Sequence, residues 1–348
     1  TDIDKPSDYF NTVLYTGNSG SNRGITGVGF QPDWVWLKTR SKANSHILID
    51  SVRGQERLRS NTTGGEVDVS SEFISFDTDG FTVTENAANE MNNNSTTYAN
   101  WNWKAGTNGS GTTTGSGTGK AYSYSVSTDA GFSIVKYIGN GTAGHTIPHH
   151  LGAAPTFRIG KTISGSGDNW TVYVEALGNT KELKLNTTAA VGTTTNYWNS
   201  TSPSSTVFTL GTNGVANGND VTFISYNFAP KKGYSKFGSY TGNGNADGTF
   251  VYTGFKPAWV MWKRTDATND WYIYDNKRNS FNTMGRRLEA NRSDDEVNSG
   301  SAIVDFVSNG YKFRGTDPSW NVSGGTFIYM AFAEESFVSS SGVPATAR

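Results

Sequence analysis

Residues 29–40 read GFQPDWVWLKTR, and residues 254–265 read GFKPAWVMWKRT. Side chains alternate faces along a strand, so Trp34 and Trp36 share one face while Val35 and Leu37 share the other. Runs of five to eight residues patterned in this way recur about every ten residues. Turn-forming Gly, Asn and Asp separate them, as at residues 77–80 and 308–310, which predicts a series of short antiparallel strands. The best helical pattern is residues 279–291, where Met284 and Leu288 are four apart, but Gly285 interrupts it and it reads as a loop or a single turn.

The strand pattern repeats as three units. Unit 1 runs YTGN (15–18), GFQPDWVWLK, HILIDSVR, FDTDGFTV and TYANWNWKAG (97–106). Unit 3 runs YTGN (240–243), GFKPAWVMWK, WYIYDNKR, FVSNGYKF and TFIYMAFAE (326–334). Unit 2 is more divergent: YIGN (137–140), APTFRIGK, WTVYVE, LKLN and TFISYNFAP (222–230). Superposed, Trp34, Phe157 and Trp259 fall in register, followed two places on by Trp36, Ile159 and Met261, as a core face requires. The alternate positions are Val35, Arg158 and Val260, then Leu37, Gly160 and Trp262, which reads as surface or as an interface that differs among units. In the closing strand, Ala99, Trp101 and Trp103 match Ile224, Tyr226, Phe228 and then Ile328, Met330, Phe332 on a second core face. Its other face carries Tyr98, Asn100 and Asn102 in unit 1, a mixed aromatic and amide surface that suits sugar hydroxyls and equally a partly solvated sheet. Lys38, Lys161 and Lys263 recur at a strand end and read as partners of nearby carboxylates, Asp50 in unit 1 and Asp275 in unit 3.

About a hundred residues with seven or eight strands is the size of an antiparallel β-sandwich. The fold class is therefore all-β, three tandem antiparallel sandwich repeats of jelly-roll or concanavalin-like type, over residues 1–105, 130–231 and 232–338. Residues 106–129 form a Gly/Ser/Thr-rich linker expected to be flexible, and residues 339–348 a flexible tail. Thr1 is compatible with a processed or truncated start.

Composition narrows the chemistry. The 348 residues carry 29 Lys+Arg against 30 Asp+Glu, so no basic excess points to nucleic acid or to an anionic membrane surface. Cysteine is absent, which removes disulfides, thiolate nucleophiles and Cys-ligated zinc, and no apolar run reaches the ~18–20 residues of a membrane span. Asn-x-Ser/Thr triplets at Asn61, Asn169 and Asn186 read as chance in a chain this rich in those residues. Three of the four histidines, His145, His149 and His150, fall in GHTIPHH, but Pro148 interrupts the run and it reads as a loop of surface histidines with no metal. DTDG at 77–80 lacks the later ligands of a calcium loop and reads as a turn. No nucleophile elbow, zinc motif or acid/base constellation is visible, so no catalytic residue, metal or cofactor is assigned.

The candidate ligand-binding residues are loop aromatics and their polar neighbours. Trp198 in NYWNS and Trp320 in TDPSWNVS stand among small polar residues, with Asp317 and Asn321 beside the second. Indoles so flanked stack on sugar rings, and they serve subunit contacts equally well. Trp262 and Tyr98 join the set from the alternate strand faces.

The long phrases of unit 3 (residues 240–279, SNGYKFRGT, GGTFIYMAFAE) and of unit 1 (NTVLYTGN, ITGVGFQPDWVWLKTR, NWNWKAG) resemble a family of repeat-containing bacteriophage proteins common in marine phages. That family is grouped with tail-fibre or lectin-like, concanavalin-type β-sandwich proteins, and the resemblance covers roughly residues 9–337. It implies a non-enzymatic protein of the virion surface, extracellular, homo-oligomeric, contacting other virion proteins and adhering to host-surface polysaccharide. The alternative is a capsid decoration or assembly protein that binds other virion subunits, and a third reading is a polysaccharide-degrading enzyme. Neither nucleic acid nor membrane insertion is expected. No heptad stalk, collagen-like stretch or virion-anchoring segment is recognisable, which leaves a capsid-surface or knob position open beside a tail tip.

Overall fold

The computed structural model describes residues 1–85, 90–165, 167–298, 303–338 and 340–344. Unit 1 comprises β1 (Phe10–Thr16), β2 (Arg23–Ile25), β3 (Trp34–Thr39), β4 (Ile47–Asp50), β5 (Glu56–Leu58), β6 (Val67–Asp68), β7 (Phe73–Asp77), β8 (Gly80–Val83) and β9 (Thr97–Trp103). Next come β10 (Thr107–Thr112), β11 (Thr114–Gly115) and β12 (Ala121–Ser127). Unit 2 continues with β13 (Phe132–Ile138), β14 (His145–Pro148), β15 (Phe157–Thr162), β16 (Thr171–Val174), β17 (Lys181–Lys184), β18 (Gly192–Thr193), β19 (Val207–Leu210) and β20 (Thr222–Phe228). Unit 3 comprises β21 (Ser235–Thr241), β22 (Asp247–Tyr252), β23 (Phe255–Arg264), β24 (Trp271–Asp275), β25 (Arg286–Glu289), β26 (Val297–Asn298), β27 (Val304–Val307), β28 (Gly310–Arg314) and β29 (Thr326–Ser336). The protein is all-β, and its pairings are antiparallel. The stretch 279–291, read as a loop or a single turn, is a loop only up to Gly285, and its second half is β25.

Each unit pairs a large sheet with a three-stranded one. The large sheets run β1-β9-β3-β4-β5-β6 in unit 1 and β21-β29-β23-β24-β25-β26 in unit 3, with small sheets β2-β8-β7 and β22-β28-β27. Register repeats along with order. Trp34, Phe157 and Trp259 lie between Asp50 and Trp103, Val174 and Phe228, and Asp275 and Phe332 respectively.

The alternating faces are both interior. Val35, Leu37 and Tyr98 pack against Ile25, Phe73 and Phe81 of the small sheet, so the face expected at the surface is the core of the sandwich itself. Val260 and Trp262 do the same in unit 3. The Trp34 and Trp36 face closes on the other two units. Seven of the ten tryptophans (34, 36, 101, 103, 170, 259 and 271) belong to one apolar cluster built from all three large sheets. Trp34 stacks on Tyr226 of unit 2 at 4.3 Å, and Trp103 meets Trp259 of unit 3 edge-on at 5.8 Å. A buried aromatic ring removes ~150–250 Å² from water, so this shared core dominates the apolar energy.

The three seams between units share one ring-to-carbonyl hydrogen bond and run one way round. Trp170 Nε1 of unit 2 donates to Arg59 O of unit 1 at 3.0 Å, and Trp271 Nε1 of unit 3 donates to Lys184 O of unit 2 at 3.0 Å. His46 holds the same position in unit 1; its Nδ1 accepts from Trp36 Nε1, so Nε2 carries the proton that bonds Glu289 O of unit 3 at 2.9 Å. Backbone bonds follow the same cycle, Glu66 N to Ile163 O, Val191 N to Thr265 O and Glu296 N to Arg40 O.

A second polar clasp occurs in two seams and is absent from the third. Tyr226 Oη donates to Asp50 Oδ2 at 2.8 Å, and Trp101 Nε1 donates to Asp275 Oδ2 at 3.0 Å. Each aspartate also receives a buried arginine three residues on, Arg53 and Arg278, at 2.5 Å. In the remaining seam donor, carboxylate and guanidinium are all replaced by apolar groups, Met330, Val174 and Leu177. Removing both partners of a buried pair is tolerated where removing one is not. Arg278→Leu alone leaves Asp275 without its cation and should cost ~3–5 kcal/mol. The triple variant Trp101→Met, Asp275→Val, Arg278→Leu should recover most of that loss. Guanidinium unfolding of both variants checks the equivalence, which fails if the triple variant is no more stable than the single one.

Candidate functional site

The tryptophans named from the sequence as ligand contacts are interior. Trp198 is 2% exposed, its Nε1 donates to Lys181 O at 2.9 Å, and the Arg158 guanidinium lies 5.2 Å from its ring. Trp320 is 6% exposed and meets Tyr272 edge-on in the unit 3 core. Trp262 stacks on Tyr274 at 4.7 Å, and Tyr98 stacks on Tyr15 at 4.6 Å. Asp317 is exposed, but its carboxylate accepts Ser319 N at 2.7 Å and closes a turn. All ten tryptophans are buried, because in a molecule with two core faces per sheet the large rings are consumed by packing.

Asn321 is likewise buried, and its role is a repeated structural one. Its Oδ1 accepts Asn243 N, as Asn92 and Asn217 accept Asn18 N and Asn140 N in the other units, at 3.0–3.2 Å. The residue preceding each of those asparagines gives its carbonyl to Tyr15, Tyr137 or Tyr240 Oη. The glycine of each YTGN or YIGN phrase is required by close approach: a Cβ on Gly17, Gly139 or Gly242 would lie 2.0–2.4 Å from a backbone oxygen. Asn61 and Asn186, the triplet asparagines, similarly accept the backbone N–H of His46 and Trp170.

The three repeated lysines do not reach the expected aspartates, which Arg53 and Arg278 occupy. Lys161 Nζ donates to Thr162 O and across a seam to Thr63 O at 3.1 Å, and Lys263 donates to Arg264 O and to Thr188 O at 3.2 Å. Lys38 bonds Thr39 O at 2.8 Å. Burial lowers each of the three to about 8. His145 and His149 are also buried, contrary to their reading as surface groups. His145 bonds Asn217 Oδ1 at 2.8 Å and Thr113 Oγ1 at 2.7 Å. Among the described residues no cluster of His, Asp or Glu could hold a metal ion.

The segment read as a flexible linker is structured, and it builds the candidate site. β10 and β12 pair so that Gly109 faces Tyr124 and Gly111 faces Tyr122. A Cβ on Gly109 would sit 2.5 Å from Tyr124 Oη, and one on Gly111 2.9 Å from the Tyr122 ring, so these glycines are the floor on which two tyrosines lie. β12 extends the unit 2 sheet to β10-β12-β13-β20-β15-β16-β17-β18, and β11 pairs with β14 on the small sheet. Buried Asp33 of unit 1 anchors the start: it accepts Ser51 Oγ at 2.7 Å, Ala105 N at 2.8 Å and Ser125 Oγ at 3.2 Å. Asn140 Nδ2 holds the 116–118 turn through two carbonyls. The tail read as flexible is described over 340–344, where Ser340 N donates to Asp4 at 2.7 Å; residues 339 and 345–348 lie outside the described residues.

On this hairpin Tyr124 stacks on His150 at 3.8 Å and 16°, and Tyr122 Oη bonds His150 Nε2 at 3.0 Å. All three rings are half-buried. Beside them opens a groove of about 240 Å³ lined by Ala121, Tyr122, Ser123, Lys136, Tyr137, Ile138 and Thr222. Its walls are mainly apolar, with a hydroxyl at Ser123 and an ammonium at Lys136. The signal for it in the sequence is the alternation of Gly in GSG (109–111) with Tyr in AYSYSV at matching spacing, which composition alone reads as a linker.

A family model described as a domain of unknown function (DUF7483) matches residues 5–336. The chain belongs to that family. One model spanning the three units is consistent with a ring whose core they share. No curated protein and no solved structure matches the chain.

Two predictions follow from the anchors. Asp33→Ala should open residues 106–120 to limited proteolysis that the parent resists, read by mass spectrometry of the fragments. Burial holds His46 well below the ordinary histidine range and lowers His149 to about 4. The unfolded chain binds these protons below ~6.5 and the folded one does not, so stability is full above that pH and falls with acid, by up to ~1.4 kcal/mol per pH unit for each histidine. Unfolding free energies from pH 7 to 5 should show a shallower slope in His46→Gln.

Proposed function

We propose that the protein is a non-enzymatic adhesion module of a phage virion surface that binds cell-surface glycan at the Tyr122–Lys136 groove. The observation that carries this reading is the groove itself, a recess lined by Tyr122 and Tyr137 together with Ser123 and Lys136. An apolar ring edge packs against the C–H face of a sugar while hydroxyl and ammonium groups take its polar rim. The site is built by an addition peculiar to unit 2, as a recognition feature grafted onto a repeated scaffold would be. The virion setting rests on the resemblance of the unit 1 and unit 3 phrases to repeat-containing phage proteins. Affinity at one groove can be weak, since display of many copies raises avidity by ~10²–10⁴.

A second reading, decoration or assembly through other virion subunits, is favoured by Phe281, which is 80% exposed on a loop whose Asn282 is pinned to the backbone of Phe306 at 2.7 and 3.0 Å. A glycan array probed with multivalent protein separates the two. Binding that falls at least ~10-fold in Tyr122→Ala and Lys136→Ala, with Phe281→Ala unaffected, supports adhesion. Absence of any glycan signal in the parent protein overturns it in favour of subunit docking.

A further inference from the structure

In unit 2 the chain itself covers the two strands that would otherwise end their sheets, and β10 becomes the outermost strand of the large one. β12 pairs with β13 at the margin of the large sheet and β11 pairs with β14 at the margin of the small one. In unit 3 the equivalent strands, β21 and β22, end their sheets with no strand beyond them among the described residues. Unpaired N–H and C=O groups along such an edge are a template for another strand. This open edge also carries exposed apolar rings, Phe250 at 43% and Tyr252 at 53%; the other large exposed apolar residues described, Val67, Phe281, Val338 and Val343, lie elsewhere. In unit 1 Arg23 lies over Tyr15 and bonds Thr16 O, whereas in unit 3 the equivalent oxygen, Thr241 O, is capped by the small Thr249 hydroxyl and no charged side chain crosses this end of the strand among the described residues.

We propose that β21 pairs with β21 of a second copy, antiparallel about a two-fold axis at Gly238. The strand is self-complementary in that register. Lys236 falls opposite Tyr240 and Phe237 opposite Ser239, so the strand's one charge never meets its like. Gly238 sits at the centre, where two backbones approach most closely. Ser235 N already bonds Lys231 O at 2.9 Å and Thr249 Oγ1 bonds Thr241 O at 2.9 Å, so the ladder between copies is confined to Phe237 and Ser239, and the Thr249 bond brings the neighbouring Phe250 to that end of the strand. Beside Ser235 lies a recess of about 480 Å³ lined by Lys236, Tyr252, Thr253 and Gly254, with Lys236 Nζ 5.0 Å from the Tyr252 ring. Each copy thereby offers Phe250 to the other's recess. The contact is isologous and closes as a dimer.

Sedimentation equilibrium of the full chain across the micromolar range tests the pairing. The parent should be a dimer, and Phe250→Glu and Tyr252→Lys should each raise the dissociation constant about tenfold or more, with unchanged thermal unfolding of the monomer. Phe281→Glu, at a more exposed ring outside this edge, should leave the dimer intact. A monomeric parent, a dimer indifferent to Phe250→Glu, or a dimer lost with Phe281→Glu each overturns the proposal.

Discussion

A sheet that carries Trp34 and Trp36 on one face and Val35 and Leu37 on the other has no side to turn toward water. One face is satisfied locally by the small sheet, and the other only by another unit bearing the same demand. Three such sheets closing on each other bury every inner face at once, and the last joint must link unit 3 back to unit 1. Chain connectivity gives no help there, since those units lie at opposite ends of the sequence. The joint between them is correspondingly rich in polar bonds: Glu296 receives Arg40, Arg278 and Arg286 while its own N–H bonds Arg40 O.

Those polar groups can exist in an apolar core because both carboxylates are answered on each oxygen. Asp50 accepts from Arg53, Tyr226 and the backbone of residues 52 and 53, and Asp275 reproduces the set with Arg278, Trp101 and residues 277 and 278. A carboxylate so surrounded pays its desolvation through charge-assisted bonds, and it fixes the angle at which two sheets meet. The third seam meets the same geometry with Met330, Val174 and Leu177. Either chemistry closes the ring; a mixture of the two would strand a charge.

The repeat, the strands and the first core face were legible in the sequence because period-two patterning and unit-to-unit register carry that information directly. The second face was not, since Arg158 and Gly160 break its apolar character in unit 2. Arg158 is nonetheless buried, held by Asn227 at 3.0 Å and lying 3.3 Å from the centre of the Phe208 ring. Loop indoles misled for a related reason. Small polar neighbours surround Trp198 and Trp320 because tight turns carry those rings inward, and Asn321 is such a turn's organiser. Composition also misread residues 106–129: a strand of Gly and Thr has no burial signature of its own, and its order comes from tyrosines on the partner strand and from Asp33 in another unit.

That last segment connects architecture to recognition. A strand added at a sheet margin removes an edge and at the same time creates new surface, whose rings are fixed by the backbone beneath them. Tyr122 and Tyr124 are held by glycines on one side and by His150 on the other, so little rotamer freedom remains to be lost when a ligand docks. Most large side chains of the repeated scaffold are instead committed to its two cores, leaving Phe250, Tyr252 and Phe281 as the exposed rings among the described residues. The hairpin outside the repeat is therefore where the proposed glycan groove falls, while the few exposed rings of unit 3 are left for the proposed contacts between chains.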